Sequence, residues 1–360
     1  MNETYVAGLV SVIIPTYNRA DLIIETLDSI AKQTYRPIEL IIVDDGSTDN
    51  TKKLLENWAD KHDEGQQLRA KFLFETNKGA PAARNLGLTH SHGEFIQFLD
   101  DDDVLSPKKI EEQVSMIAGL PTRAAVYGPW RYFKAQPNQI DLYQPVGSYT
   151  KKDPLASWIS GEFFVPHFSL LWRRRDIAAN GPWSETFLVN QDGEYAMRFL
   201  SNDGKLVFCR SAWGYYRLYD HQDANVSHRK TRESLESRFR IISSIEDLLG
   251  NQGIVQQYAE VFSVRYAKLA SRCALNYPKL AKLCLKKSRQ LSSTGKLPDV
   301  FTHPVLTKLI GLTAKRRIGR IRRRLLRRNS MNAFADNNFK KISTVSSIED
   351  MFGLEPKDSE

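Results

Sequence analysis

Apolar and polar positions alternate in a regular order over residues 9–120. Four short apolar runs are typical of buried strands, and each is followed by a segment with apolar residues at helical spacing. The predicted strands cover 9–14, 39–45, 71–76 and 94–103, and the predicted helices cover 20–33, 46–62, 78–91 and 106–120. Continuous apolar strands joined by helices predict a Rossmann-like α/β fold, a mostly parallel sheet flanked by helices.

The pattern changes farther along the chain. Residues 124–220 are less regular and rich in aromatic residues, which predicts the remaining strands of the sheet together with substrate-facing loops. Residues 231–293 are charged with scattered apolar positions and predict helices, whereas the polar residues beyond 329 predict a mobile tail. We therefore expect three parts: an α/β domain over 1–230, a helical extension over 231–328 and a disordered tail over 329–360.

The overall composition is that of a soluble globular protein. Hydrophobic residues make up 41% and charged residues 26% of the chain. No apolar run approaches the length of about 18 residues that a membrane-spanning helix needs, and the acidic N-terminus lacks the features of a secretory signal. The cysteines lack metal-binding or redox spacing, which favours a reducing cytoplasm; they are Cys209, Cys273 and Cys284.

The net charge of +9 comes from one segment, Lys315–Arg328, which holds nine cations and no anion. Apolar residues recur in and beside it at helical spacing, which predicts a cationic amphipathic helix that lies on an anionic membrane surface. A solvated helix remains an alternative. Nucleic-acid binding is disfavoured, because the chain shows no nucleic-acid fold motif. The membrane interpretation predicts a cytoplasmic protein that is peripheral on the inner face of the membrane.

Polar residues follow three of the predicted strands where each strand ends. Strand one ends at 15–17, strand two ends at Asp44 and Asp45, and strand four ends at 100–103, four consecutive aspartates. Ligands bind at the carboxyl ends of the strands in open parallel sheets. The sequence therefore predicts a polar site, acidic at two of its three strand ends, along one edge of the sheet.

The four aspartates suit a divalent cation. Adjacent carboxylates repel one another, and a hard ion such as Mg²⁺ or Mn²⁺ removes that conflict. Asp100 and Asp102 are expected to share one face if the segment is extended. The alternative is a solvated acidic turn that caps the helix beginning near Ser106.

The other strand ends also have two interpretations. A carboxylate such as Asp45 can accept hydrogen bonds from a nucleobase or a ribose, but the segment from Val43 to Thr51 is also a plausible helix cap. Tyr17 can stack on a base or pack as an ordinary half-buried aromatic residue.

Taken together, the ordered motifs VSVIIPTYNRAD, ELIIVDDGSTDNT, NKGAPAARNLG and FIQFLDDDDVLSP resemble the family 2 glycosyltransferases of the GT-A fold. The resemblance is close over residues 9–120 and looser to about 228. It implies inverting transfer of a sugar from a nucleotide-diphosphate donor, with a divalent metal, Mn²⁺ or Mg²⁺, on the diphosphate. A UDP-sugar is the favoured donor, and a glycan or lipid-linked glycan is the expected acceptor.

The resemblance also assigns residues on the donor side. Pro15 and Tyr17 would line the nucleoside pocket, Asp45 would face the base and Arg84 would lie near the nucleotide. Asp100 and Asp102 fit the outer positions of the family's Asp-x-Asp signature, with Asp102 as the direct metal ligand. The run of four leaves the register open by one, so Asp101 is a candidate for the ribose contact.

On the acceptor side, the segment GPWSETFLVNQDGEYAMRF resembles the family's motif for the general base and places Asp192 in that role. Gln191 stands where an acid is usual, and a helix-capping role for Asp192 remains an alternative. His221, in HQDANVSH, resembles a histidine that approaches the metal or the diphosphate; the alternative is an exposed loop residue. His167 is expected to be structural or on an acceptor-side loop.

Two other functions compete with glycosyl transfer. A nucleotidyltransferase of similar fold would carry a glycine-rich basic loop after strand one, and PTYNRAD contains no glycine. A non-catalytic protein that binds nucleotide sugars or a membrane would not need the nearly complete set of acidic residues. The sequence therefore favours a metal-assisted glycosyltransferase.

Overall fold

The computed structural model describes residues 5–62, 67–146, 153–219, 231–298 and 340–355. Strands and helices alternate in the N-terminal third as the apolar pattern predicts. The elements are β1 Val6–Thr16, α1 Ile23–Ala31, β2 Ile38–Asp44, α2 Thr51–His62, β3 Leu68–Phe74, α3 Ala80–Thr89, β4 Gly93–Phe98, β5 Val104–Leu105 and α4 Lys109–Ala118.

Shorter elements follow up to residue 217. They are β6 Ala124–Tyr127, β7 Trp130–Gln136, β8 Gln139–Val146, α5 Pro154–Ser160, β9 Leu170–Arg173, α6 Arg174–Asn180, α7 Gln191–Ser201, β10 Lys205–Phe208 and β11 Gly214–Arg217. The main sheet has seven strands in the order β10-β6-β9-β4-β1-β2-β3. Only β9 runs antiparallel to its neighbours within this sheet. The mostly parallel α/β fold is therefore confirmed.

Three long helices follow: α8 Arg232–Asn251, α9 Ala259–Cys273 and α10 Pro278–Leu291. They form the helical segment that the sequence predicts over 231–293. Their buried faces belong to the same apolar cluster as the main sheet, so a continuous core joins the two parts. Burial of this apolar surface is the main source of stability for such helices.

A second sheet has five strands in the order β12-β8-β7-β11-β5, and its edge strand β12, Lys341–Val345, comes from the C-terminal segment. A short helix, α11 Ile348–Phe352, follows and buries Met351 completely. The expectation of a disordered tail is therefore wrong for residues 340–355. The segment is ordered because β12 pairs with β8 and Met351 enters a small apolar cluster beside Val104 and Tyr215.

Over the described ranges, no helix is both long and apolar enough to cross a membrane. The basic run Lys315–Arg328 and His221 lie outside the described residues.

Candidate active site

The carboxyl ends of β1, β2 and β4 lie side by side, as the site prediction requires. The Asp45 amide donates to the Thr16 carbonyl at 2.9 Å, and the Leu99 amide donates to the Ile13 carbonyl at 3.1 Å. Arg19, just after β1, reaches Asp101 and Asp102 after β4. The acidic ends of β2 and β4 therefore flank the end of β1 on one edge of the sheet.

Asp45 is buried and holds the loop before α3. Its Oδ1 accepts from the Lys78 amide at 2.7 Å, and its Oδ2 accepts from the Gly79 amide at 2.7 Å. Gly79 has a φ of 94°, a conformation that strongly favours glycine. Both Asp45 oxygens thus already accept a backbone hydrogen bond, and the contact with a base stays a prediction.

The predicted nucleoside contacts differ in exposure. Pro15 is buried within β1, whereas the Tyr17 ring is 44% exposed. The backbone beside Tyr17 is held by the Asn18 amide, which donates to Ser47 Oγ at 2.9 Å. An exposed ring on a tethered turn can stack on a base, and this role stays a prediction as well.

The four aspartates form a turn and not the extended segment that the sequence argument assumed. The turn nevertheless gathers acids: one carboxylate oxygen from each of Asp100, Asp102 and Asp103 lies within 4.8 Å of the others. We call residues 100–103 the aspartate turn. The sequence predicted Asp100 and Asp102 as metal ligands but did not single out Asp103, which is buried and accepts the Arg217 amide at 3.0 Å.

A few donors face the aspartate turn. Tyr219 donates its hydroxyl to Asp102 Oδ2 at 2.6 Å. Arg19 Nε lies 3.4 Å from Asp101 Oδ1, and Arg19 Nη2 lies 3.9 Å from Asp102 Oδ2. Arg217 Nε donates to the Asp102 carbonyl at 2.9 Å.

These donors do not balance the acids. Burial, together with the charge of Asp102, raises the pKa of Asp101 to about 8. The same two causes raise the pKa of Asp103 well above its usual value. The carboxylates therefore carry an electrostatic cost that a bound divalent cation would relieve. The oxygen ligands and their close spacing fit such an ion.

A chain of charged side chains links the aspartate turn to Asp192. Arg84 Nη2 lies 2.7 Å from Asp100 Oδ1, and His167 Nε2 lies 3.1 Å from the same oxygen. On its other side, His167 Nδ1 lies 2.8 Å from Asp192 Oδ2. The His167 ring is buried. Because it contacts both carboxylates, one imidazole bridges the predicted donor side and the predicted base.

The charge of His167 follows from its neighbours. Burial by itself would lower the pKa of His167, but Asp100 and Asp192 outweigh burial and raise it to about 10. Burial likewise opposes ionisation of Asp192, whose pKa is nevertheless lowered by His167. At neutral pH the bridge is therefore an imidazolium between two carboxylates.

Asp192 lies in the first turn of α7, and Asn190, not Asp192, is the N-cap residue of this helix. The Asp192 side chain is 38% exposed, so solvent or an acceptor can reach it. The neighbouring Gln191 accepts a hydrogen bond at its Oε1 from Arg84 Nη1, at 3.4 Å. A neutral amide therefore stands beside the arginine where the family usually has an acid.

Sequence reasoning missed several residues that contact the predicted acids. His167 was expected to be structural or on an acceptor-side loop, and Arg19, Arg217 and Tyr219 were not singled out. The sequence could have pointed to Arg19, because this residue lies directly after the end of the first strand. The others reach the site from distant parts of the chain, and no local pattern marks them.

Known proteins resemble this chain in sequence and in fold. A sequence profile of the family described as glycosyl transferase family 2 matches residues 11–180. An uncharacterised glycosyltransferase of Rickettsia typhi is 31% identical over 279 residues, which cover 74% of this chain and 83% of that protein.

One further relative is similar in sequence, and one solved structure is similar in fold. An Escherichia coli protein named UDP-Glc:alpha-D-GlcNAc-diphosphoundecaprenol beta-1,3-glucosyltransferase is 42% identical over 110 residues, 30% of this chain and 41% of that protein. The crystal structure of Staphylococcus aureus TarS 1–349 in complex with UDP-GlcNAc is similar in fold. Its TM-score is 0.57 at 19% identity, over 81% of this chain and 82% of that one.

Proposed function

Because this chain belongs to glycosyl transferase family 2, we propose that it transfers a sugar from a UDP-sugar to an acceptor hydroxyl with inversion. The observation that carries the proposal is the short link from the aspartate turn through His167 to Asp192. A cluster of acids for the donor and a partly exposed carboxylate for the acceptor are the two parts that such a transfer requires.

On the donor side, Asp100, Asp102 and Asp103 would hold a divalent cation, Mn²⁺ or Mg²⁺. When bound, this ion offsets negative charge on the departing diphosphate. Arg84, which contacts Asp100, keeps that carboxylate in place. His221 remains a proposed further ligand, although it lies outside the described residues.

On the acceptor side, Asp192 would act as the general base. Its Oδ2 is held by His167, and the carboxylate remains partly exposed. It takes the proton from the acceptor hydroxyl as that oxygen forms a bond to the anomeric carbon. The bond from that carbon to the diphosphate oxygen breaks on the opposite face, which inverts the configuration.

His167 would act as a positioning residue. Its imidazolium fixes Asp192 and compensates the negative charge of Asp100 and Asp192. A carboxylate held in one orientation accepts a proton more effectively than a mobile one.

The acceptor class is inferred from the Escherichia coli relative. Its name describes transfer of glucose from UDP-Glc to a GlcNAc carried on a lipid diphosphate. We extend this class to the present chain: a UDP-sugar as donor and a lipid-linked glycan as acceptor. The basic run Lys315–Arg328 would then hold the protein on an anionic membrane surface.

A transfer assay tests the proposal directly. Purified full-length protein is incubated with a panel of UDP-sugars, Mn²⁺ and a lipid-diphosphate-linked GlcNAc, and NMR gives the anomeric configuration of the product. We expect an inverted linkage that depends on Mn²⁺ and is lost in Asp192→Asn. A retained configuration, or equal turnover in EDTA, would contradict the mechanism. Release of pyrophosphate from a nucleoside triphosphate would favour a nucleotidyltransferase instead.

A further inference from the structure

A second charged site lies where the helical segment packs against the α/β part. A cavity of about 180 Å³ opens between α5, α8 and α9. Its walls combine three arginines with aromatic side chains, among them Arg238, Arg265, Arg272, Trp158, Phe163 and Phe262. We call this the arginine cavity. The mechanism proposed above uses none of these residues.

Positive charge is concentrated in the arginine cavity. In the parts of the chain that the structure describes, no acidic side chain forms an ion pair with Arg265 or Arg272. Burial, followed by the charges of Arg272 and Arg238, lowers the pKa of Arg265 to about 10. The guanidinium groups remain protonated at neutral pH, so they repel one another in a partly desolvated space.

The Arg265 guanidinium lies against the turn that ends α5. A Cβ atom at Gly161 would lie 2.3 Å from Arg265 Nη1, so the absence of a side chain at this position makes room for the guanidinium. Gly161 has a φ of 75° and ends α5. The turn therefore permits a guanidinium group at the wall of the cavity.

We propose that the arginine cavity binds a phosphate or diphosphate group. Guanidinium groups match phosphate oxygens in a planar, two-pronged geometry, and apolar walls strengthen this interaction by lowering the local dielectric. The volume is below the ~300 Å³ typical of sites for drug-sized ligands and suits one small anionic group. An anion would remove the repulsion among the three cations.

The arginine cavity also reaches the start of the helix that carries the proposed base. Asn190 lines it and is the N-cap residue of α7, the helix that carries Asp192 two residues farther on. A phosphate held there would anchor its own molecule beside Asp192. The anion can come from the diphosphate of a lipid-linked acceptor or from free phosphate, and the acceptor source rests on the proposed function.

Binding of inorganic pyrophosphate tests the site. Calorimetric titrations use the full chain in EDTA with excess UDP, so that the donor site contributes no metal-dependent binding. We expect saturable binding to the wild type and about tenfold weaker binding to Arg265→Gln and to Arg272→Gln. Arg289→Gln removes the same charge from an exposed position on α10 and should bind like the wild type.

Absence of pyrophosphate binding in the wild type, or equal binding in all four proteins, would overturn the proposal. Arg272 is exposed, so Arg272→Gln keeps the test valid if Arg265→Gln fails to fold. The titration needs no transfer activity and stays interpretable if the proposed function is wrong.

A kinetic experiment distinguishes the two sources of the anion. The KM for a lipid-diphosphate-linked acceptor is compared with the KM for the same sugar on a phosphate-free carrier. If the cavity holds the acceptor, Arg272→Gln raises only the first KM, by about tenfold. If pyrophosphate binding is lost while both KM values stay unchanged, the site serves free phosphate.

Discussion

The aspartate turn and the arginine cavity are concentrations of opposite charge, and they are built differently. The aspartate turn follows one strand, and donors such as Tyr219 hold its acids in place. The arginine cavity draws Arg238 from one helix and Arg265 and Arg272 from another. The difference teaches that neighbouring donors hold the acids of the aspartate turn, whereas the described residues supply no acidic partner for Arg265 or Arg272. Each calls for a ligand of opposite charge.

The largest effect should come from the base. Asp192→Asn removes the proton acceptor but keeps the shape of the side chain, so we expect kcat to fall by about 10²–10⁴. The Kd for the donor should stay nearly constant. Asp203→Asn changes an exposed acid just after the same helix and should leave kcat unaltered. If Asp192→Asn kept the wild-type kcat, Asp192 would not be the general base.

The second-largest effect on kcat should come from His167, which lies between Asp100 and Asp192. His167→Gln keeps one hydrogen bond but loses the positive charge between Asp100 and Asp192, so we expect kcat to fall about 10- to 100-fold. The acceptor KM should change less than kcat, which a general loss of structure would not produce. His92→Gln, at an exposed histidine, is the control. Unchanged kcat in His167→Gln would show that Asp192 needs no such support.

Stability of the metal-free protein should depend on pH through the aspartate turn. The pKa of Asp101 rises from 3.8 in the unfolded chain to about 8 in the fold. The associated stability is complete below the lower value and is lost as pH rises through the higher one. We expect Tm in EDTA to fall between pH 5 and pH 9, with a smaller decrease in Asp101→Asn. Mn²⁺ should restore Tm at pH 9, and a Tm independent of pH would contradict the unbalanced charge.

The smallest effect concerns the arginine cavity without its anion. Arg272→Gln removes one of three repelling cations, so we expect unfolding in phosphate-free buffer to cost up to about 1 kcal/mol more than in the wild type. Added pyrophosphate should reverse the order by stabilising only the wild type. Thermal unfolding by circular dichroism measures both. Destabilisation by Arg272→Gln in both buffers would argue for a packing role.

Local sequence was sufficient to locate candidate site residues that directly follow a strand. The apolar runs of β1, β2 and β4 stop at polar residues, and parallel pairing places those ends together. Asp45 and the aspartate turn were located in this way, while the resemblance supplied Asp192. Side chains that approach from elsewhere were not foreseen. His167 looks like an ordinary loop histidine until the fold sets it between Asp100 and Asp192.

The same limit explains the C-terminal segment and the arginine cavity. Residues 340–355 carry only short apolar patterns, and Met351 is buried against strands more than a hundred residues away in the chain. Arg265 and Arg272 look like solvated charges on a helix, and their proximity to Arg238 depends on how α8 and α9 pack. Periodicity identifies an element but not its neighbour.

The most direct test of the central claim is Mn²⁺ binding measured by calorimetry in the presence of UDP. The wild type and Asp60→Asn, an exposed acid on α2, should bind about one Mn²⁺ per chain. Asp102→Asn should bind it at least about tenfold more weakly. Equal affinity in all three proteins would contradict the assignment of the aspartate turn as the metal and diphosphate site.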